Sequence, residues 1–476
     1  MESLLFILPA AFALLALFIP KSGIKAFSIL ASVAVFGVLA VLFANYNAET
    51  GEIHYIINDQ FLGKINLAFG YDAISLMMIG LTTALVPLIL ISNFKNEIAN
   101  NRTFVSMVFF MQFGLIGVFL ALDAVFFYVF WEITLIPIFI IAYLFGAPER
   151  KAALIKFFIY TFVGSLAMLA SIFALGYGAK SFGYEHLIEL VLDKKYATWI
   201  MGGFLLAFAI KIPIFPFHTW QPSTYSKSPM AGTMLLSGLM LKMALYGIIR
   251  WIVPMYPEVF SCKCTVEWII AIATISVIYA AIIAIMQKDM KRLFAFASMS
   301  HVGLIAAGIF TLNNETISGS ILQMINHGFV AIGLFLAVDV IERRVNTRQL
   351  DELGGFAKQA PKFAFWFAAL AFASVSVPFT SGFIGEFLLI KGVYNFQWIL
   401  GVLIGTSVII GAVYTFRAYQ LSMYGPTTRE SFADLHWSEL VVFAVIMIVV
   451  VVLGVFPQAI IGYVQPSVEA LIAHIK

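Results

Sequence analysis

Charge is what this sequence is short of. Only 11% of its 476 residues are Asp, Glu, Lys or Arg, against roughly 25% in an ordinary soluble domain. A soluble chain of this length needs far more charge to cover its surface. With 62% hydrophobic residues and a mean hydropathy of +0.98, its exterior must face lipid. The net charge of +3 gives no basic footprint for a nucleic acid. Cysteine is nearly absent too: Cys262 and Cys264 stand one residue apart, too close for an unstrained disulfide, so free thiols are expected. No phosphate-cradling glycine loop, dinucleotide fingerprint or metal-ligand cluster is present. By motif, then, the chain neither hydrolyses ATP nor holds a redox centre, and its energy must come from an ion gradient or from partner subunits. No basic flank precedes the first apolar run, where Glu2 stands instead, which predicts a retained helix and not a cleaved signal peptide.

What is abundant is long apolar sequence. Runs able to cross a bilayer fall near residues 3–20, 24–44, 72–93, 103–121, 124–144, 153–177, 197–217, 229–253, 266–287, 293–312, 316–341, 361–393, 398–424 and 437–462. This predicts an all-α polytopic membrane protein of about 14 transmembrane helices, both termini on one side. Six Lys and Arg, Lys476 among them, fall in loops or the tail on the terminus side. Eighteen, Arg429 among them, fall on the other, and Lys211, Lys242, Arg250 and Lys391 lie within runs. Basic residues collect on the cytoplasmic side, so both termini are expected outside. Lys211-Ile212-Pro213 with Pro216 interrupts the seventh run, and Pro378 through Gly382 and Gly385 interrupts the twelfth. A proline removes a backbone donor and frees a carbonyl one turn earlier, which membrane depth tolerates only inside protein or beside water. Each broken run is fourth in a set of five that starts on the opposite side from the other. This predicts two inverted five-helix repeats (runs 4–8 and 9–13), with function at the breaks. The expected divisions are 1–102 for the first three helices, 103–253 and 266–424 for the repeats, and 425–476 for the last helix.

A charge at the bilayer centre costs several kcal/mol, so each one asks for a reason. Glu132, Lys211, Lys242 and His327 all fall at middle depth of their runs. His301 in the tenth run and Glu386 beside the twelfth-run break extend the set in chain order. Lys391 and Arg250 lie near run ends, where a long side chain snorkels outward. Two lysines, two glutamates and two histidines at compatible depths exceed what packing requires. Burial disfavours the charged form, by up to about 3–5 pK units, which brings buried Lys and Glu alike towards neutral titration. At ~8 Å and an effective dielectric of ~20, one charge biases another by ~2 kcal/mol. Driving a proton against ~180 mV costs ~4 kcal/mol, so at least two coupled contacts are needed. The row supplies them.

The stretches FYVFWEITLIPIFIIAYLFG (127–146), KIPIFPFHTW (211–220), AGTMLLSGLMLKMALYGIIR (231–250), SHVG (300–303) and QMINHGFVAIGLFLAVDVIERR (323–344) resemble the antiporter-like subunits of respiratory complex I and their Mrp relatives. GFIGEF (382–387) places the resemblance in the family's M branch (chain 4), because Glu386 stands where the L and N paralogues and Mrp subunits carry lysine. The resemblance implies a proton-translocating membrane-arm subunit in an energy-transducing membrane, the bacterial plasma membrane, driven by quinone reduction elsewhere. It implies neighbouring antiporter-like subunits as partners. No cofactor is expected on this chain, with FMN, iron–sulfur clusters and quinone in partner subunits. It assigns proton translocation to Glu132, Lys211, Lys242, His301, His327 and Glu386, with His218 as a connecting or uptake residue. The alternatives are a subunit of an Mrp-type cation/proton antiporter or of a membrane-bound hydrogenase. The sequence departs from the family twice. After HTW it reads Gln221-Pro222-Ser223-Thr224-Tyr225, lacking the usual acid and second histidine. Phe379 replaces a common glycine in the twelfth-run break. No long lateral helix of the L type is expected after the last run.

Overall fold

The computed structural model describes residues 2–426 and 431–474, so Arg429 and Lys476 of the charge count lie outside the described residues. Among those residues, eleven helices are long and apolar enough to cross a membrane. In chain order they are α2 (Ile24–Asn45), α3 (Ala73–Ser92), α4 (Arg102–Leu120), α5 (Ala124–Phe145), α6 (Arg150–Gly178), α9 (Met230–Met255), α10 (Lys263–Met286), α11 (Met290–Ile309), α12 (Asn314–Val345), α15 (Trp398–Met423) and α16 (Trp437–Val455). The three other apolar runs form shorter pieces. The first is α1 (Glu2–Ala16); the seventh and twelfth are split into α7 (Lys194–Lys211) with α8 (Trp220–Lys227), and α13 (Pro361–Ser374) with α14 (Ser381–Phe396). Five of the eleven long helices begin where an Asn or Asp caps free amides. Asp72 Oδ1 accepts from Ser75 N at 2.9 Å, Asn101 from Thr103 N at 2.9 Å, Asp123 from Val125 N at 2.9 Å and Asp289 from Lys291 N at 2.9 Å.

Two features differ from the expected all-α layout. The connection between α2 and α3 folds into an antiparallel hairpin, β1 (His54–Leu62) and β2 (Ile65–Tyr71), paired His54 with Tyr71 through Leu62 with Ile65. Buried Asp123 ties this hairpin to α5 by accepting from Asn66 N at 2.9 Å. The final run, expected over 437–462, ends at Val455. Pro457 lacks an amide to continue it, and α17 (Gln458–Ala473) follows, burying Val464, Val468 and Leu471. Glu2 bonds His54 and Tyr71, and Gly51 abuts the backbone of Pro466. The first helix, the hairpin and α17 therefore share one face, the terminus face.

The opposite face is held by buried or half-buried ion pairs. Glu439 at the start of α16 is fully buried, and meets Arg343 at 2.7 Å and Arg344 at 2.8 Å from the end of α12. Arg348 joins Asp289 at 2.6 Å, Glu342 at 3.0 Å and the Ser226 carbonyl at 3.0 Å. Lys291, counted above among loop residues, is buried in α11 and donates to the Ser228 carbonyl at 2.6 Å. Removing one partner of a buried pair strands the other charge at a cost of about 3–5 kcal/mol. Glu439→Ala, which strands two arginines, is expected to lower stability by about 3 kcal/mol, with Glu439→Gln milder. Thermal unfolding in detergent checks this, and equal melting temperatures for Glu439→Ala and the parent would refute it.

Candidate functional site

Interrupted backbone is what positions the ionisable row. In α5 the helix bends at Thr134, because Pro137 removes the donor that Ile133's carbonyl would accept. Half-buried Glu132 lies just before this bend, with Ser165 of α6 as hydrogen-bond partner and Lys211 as neighbouring cation. Lys211 is the last residue of α7, at the carbonyl-rich end of a half-helix, where a cation is favoured. The break after it is well satisfied. Trp220 Nε1 donates to the Ile210 carbonyl at 2.8 Å, Ile214 N to Ala209 at 2.8 Å, and Phe215 N to Ser276 Oγ at 3.0 Å. The ammonium itself is buried without a hydrogen-bond partner among the described residues, 5.4 Å from the Trp131 ring. His218 also lies in this break. It is buried, not interfacial, packed against Phe215, Tyr279 and Phe296.

The second group centres on Lys242, in a seven-residue α-helical piece of α9 between π-helical turns at Leu236–Met240 and Ile248–Ile252. A π turn leaves carbonyls off the regular ladder, and such turns gather at functional sites. Here Lys242 Nζ donates to the Ser237 carbonyl, within the first π turn, at 2.6 Å. It also meets His327 Nδ1 of α12 at 2.7 Å. The other ring nitrogen of His327 meets Ser298 Oγ at 2.9 Å, and Ser298 meets Ser237 Oγ at 3.1 Å. Beyond His327 lies the His301 ring, centroids 6.3 Å apart, and His301 Nδ1 reaches Glu386 Oε1 at 2.9 Å. Gln323 Nε2 donates to the same carboxylate at 3.2 Å. A cavity of about 30 Å³ lies between the histidines, lined by Ser298, His301, Gln323, Asn326, His327 and Ser374. At about 10–15 Å³ per water, it has room for two. A second, of about 10 Å³, touches His301, Glu386 and Ser407.

Glu386 owes its place to the break between α13 and α14. There Ser376 and Phe379 adopt positive φ, 56° and 74°, costing about 1–2 kcal/mol each for residues other than glycine. Phe379 in the common glycine's place thus keeps the left-handed turn, with its ring outward. Gly454 of α16 accepts the bulge, since a Cβ there would lie 2.3 Å from the Phe379 carbonyl. Ser381 Oγ ties the start of α14 to Asn326 Oδ1 at 2.8 Å.

Six of the seven residues singled out in the sequence thus form three pairs: Glu132 beside Lys211, and Lys242–His327 followed by His301–Glu386. No hydrogen bond of Lys211 joins the groups. Lys391 reaches outward as expected, pairing with Glu315 at 2.8 Å. Arg250 does not snorkel. It is buried and paired with Asp72 at 2.5 Å, because the π turn at Ile248–Ile252 directs it to the capped start of α3. The sequence reading passed over Asp72, Ser237, Ser298, Gln323 and Asn326. The last two stand three residues apart, Asn326 just before His327, a spacing that places them near it on α12.

Buried lysines, histidines and carboxylates around broken membrane helices define an ion-translocating membrane subunit as the class of protein. The family description "NADH:quinone oxidoreductase/Mrp antiporter, TM" matches residues 121–411, and "NADH-ubiquinone oxidoreductase chain 4, amino terminus" matches 4–118. The chain belongs to this family, in its subunit M (chain 4) branch. It is 32% identical to NADH-ubiquinone oxidoreductase chain 4 of Arabidopsis thaliana over 99% of this chain and 97% of that one. It is 32% identical to NADH-quinone oxidoreductase subunit M of Rhodobacter capsulatus, over 93% and 89%. Among solved structures, a chain of respiratory complex I from Thermus thermophilus superimposes with a TM-score of 0.90, at 30% identity over 100% of both chains. A chain of the Mrp complex from Dietzia shares the fold at a TM-score of 0.87 and 19% identity, over 100% and 99%.

The coupling of Lys242 and His327 is measurable apart from any activity. His327→Leu strands a buried ammonium, at about 1–3 kcal/mol, so the melting temperature in detergent should fall. Adding Lys242→Met should recover part of the loss, making the double variant less destabilised than the sum of the single ones. Strict additivity would show that the 2.7 Å contact carries no energy.

Proposed function

We propose that this chain translocates protons in the membrane arm of an NADH:quinone oxidoreductase. The observation that carries this reading is the buried connection from Lys242 through His327 and His301 to Glu386. A proton leaving Lys242 Nζ goes to Nδ1 of His327, while Nε2 of the same ring hands its own proton to Ser298 Oγ or to cavity water. His301 takes it up and passes it to the Glu386 carboxylate 2.9 Å away. Imidazole can accept at one nitrogen as it donates at the other, which suits it to such a relay. Glu132 acts by its charge. When it draws close to Lys211 it holds that proton, and when it withdraws it lets the proton go. The two interrupted helices, read as fourth members of inverted five-helix repeats, give each lysine a neighbouring break. The threefold basic excess sets the terminus face outside. Neighbouring antiporter-like subunits are the partners, and FMN, iron–sulfur clusters and quinone belong to other subunits. The similarity to subunit M and chain 4 relatives supports this assembly.

The Mrp-like fold keeps open a second reading, an antiporter subunit with no redox partner. Co-purification separates them: flavin and iron–sulfur subunits for the first, nickel for a hydrogenase, neither for an antiporter.

The test is proton translocation per electron pair by the assembled complex in vesicles, with assembly checked on a native gel. Lys211→Ala and Lys211→Arg should both impair pumping, since arginine keeps its proton. Glu132→Gln should be damaging although its shape is nearly kept, and full pumping by it would reduce Glu132 to a packing residue. Glu386→Ala should abolish most pumping and Glu386→Asp retain part. Full pumping by Glu386→Ala would remove Glu386 from the path.

A further inference from the structure

A large water-accessible hollow lies outside this path. On the terminus face a vestibule of about 500 Å³ opens between the hairpin, α17 and the ends of α3 and α9. Glu52, Glu185 and Glu189 stand around it, and Asp72, Tyr184 and Arg250 contribute to its lining. Asp72 and Arg250 are both buried, paired at 2.5 Å. Behind them, Arg250 Nε donates to the Tyr246 hydroxyl at 3.2 Å, and Tyr246 Oη lies 2.9 Å from Ser75 Oγ and donates to the Phe119 carbonyl at 3.0 Å. Asp72 and Ser75 belong together, as cap and capped amide at 2.9 Å. Tyr246, fully buried, lies four residues beyond Lys242 on α9, and Arg250 four beyond Tyr246, so the three follow one another towards the terminus face.

Resting on the proton-translocating reading above, we propose that Lys242 has an outlet of its own on the terminus face, through Tyr246, Ser75 and the Asp72–Arg250 pair into the vestibule. One helical turn, about 6 Å of rise, separates Lys242 from Tyr246, and the ammonium must leave Ser237 and His327 and swing along α9 to reach the hydroxyl. As Lys242 Nζ gives a proton to the Tyr246 hydroxyl oxygen, that hydroxyl turns from the Phe119 carbonyl and passes its own to Ser75 Oγ. Ser75, whose amide binds Asp72 Oδ1 at 2.9 Å, turns its hydroxyl to pass one on to the same carboxylate, and Asp72 releases it to vestibule water. Arg250 sets the tap. Paired with Asp72, it occupies the carboxylate, and its positive charge repels an arriving proton. When the guanidinium swings off Asp72 while staying over the faces of Tyr184 and Tyr246, where it lies at 5.4 and 5.6 Å, Asp72 is freed to accept. Lys242 thus stands at a fork, with His327 and Glu386 leading sideways and Tyr246 leading out. A structural staple explains the ion pair and the bond from Tyr246 to the Phe119 carbonyl, but not the water-accessible vestibule that opens onto that pair.

The test uses the complete complex in sealed vesicles, with protons counted per electron pair and assembly checked on a native gel. Tyr246→Phe keeps the ring packing against Phe119 and removes the hydroxyl with its bonds to Ser75 and the Phe119 carbonyl, while Asp72→Asn keeps the helix cap and removes the charge. Both should lose part of the pumping that Lys242→Ala loses, with assembly and quinone reduction persisting. A third variant guards against misfolding. Ala470→Cys at the vestibule, in a Cys262→Ser/Cys264→Ser background, should lose that share only after a bulky thiol reagent is added from the terminus face. If Lys242→Ala loses pumping while Tyr246→Phe, Asp72→Asn and the labelled Ala470→Cys pump as the parent does, the outlet is wrong and the wider function stands. If Lys242→Ala also pumps fully, the wider function fails.

Discussion

Everything in this fold answers to one constraint: a bilayer core offers no water to hydrogen-bond a polar group. A backbone carbonyl freed by a proline, or an ammonium carried into the core, must find its partner inside the protein or in enclosed water. The breaks at 212–219 and 375–380 satisfy that demand in different ways. In the first, the Trp220 indole and Ser276 hydroxyl take up stranded backbone groups, and Lys211 is left against Trp131. In the second, two left-handed residues fold the chain back on itself, and small cavities remain beside His301 and Glu386. Structure is spent to make polar groups tolerable in lipid, and the same groups become a route for a proton.

The helix that holds Lys242 shows how local geometry serves this purpose. A regular helix would spend every carbonyl on its own ladder. The π turn at Leu236–Met240 lets the Ser237 carbonyl accept from Lys242, while Ser237's hydroxyl joins Ser298 and so His327. The second π turn, at Ile248–Ile252, carries Arg250 to Asp72. One helix thus presents three basic or hydroxylic groups to two different surroundings.

The two ends of the bundle are built differently. The face opposite the termini is stitched by arginine–carboxylate pairs among Arg343, Arg344, Arg348, Asp289 and Glu439, joining the loops that follow α10 and α12 to the start of α16. The terminus face is closed by a hairpin and the short final helix, leaving an open vestibule over a single buried pair. Rigidity gathers at one end and accessible water at the other.

Hydropathy and the depth of a residue along its run are local quantities, so the sequence alone determined the membrane class, the long helices and the mid-depth set Glu132, Lys211, Lys242, His301, His327 and Glu386. Proline positions likewise announced the breaks after Lys211 and Ser374, although Pro137 beside Glu132 went unread. Tertiary structure decided which way each side chain faces. Each residue turns about 100° around its helix, and small π turns shift that phase without any signature in the sequence. Hence Lys242 proved to be held by His327, and Arg250, expected to reach for solvent, turned inward to Asp72, a partner 178 residues away. The hairpin and the final helix were missed for a related reason: their apolar residues are fixed by contacts with distant segments, and their own periodicity is too short to declare them.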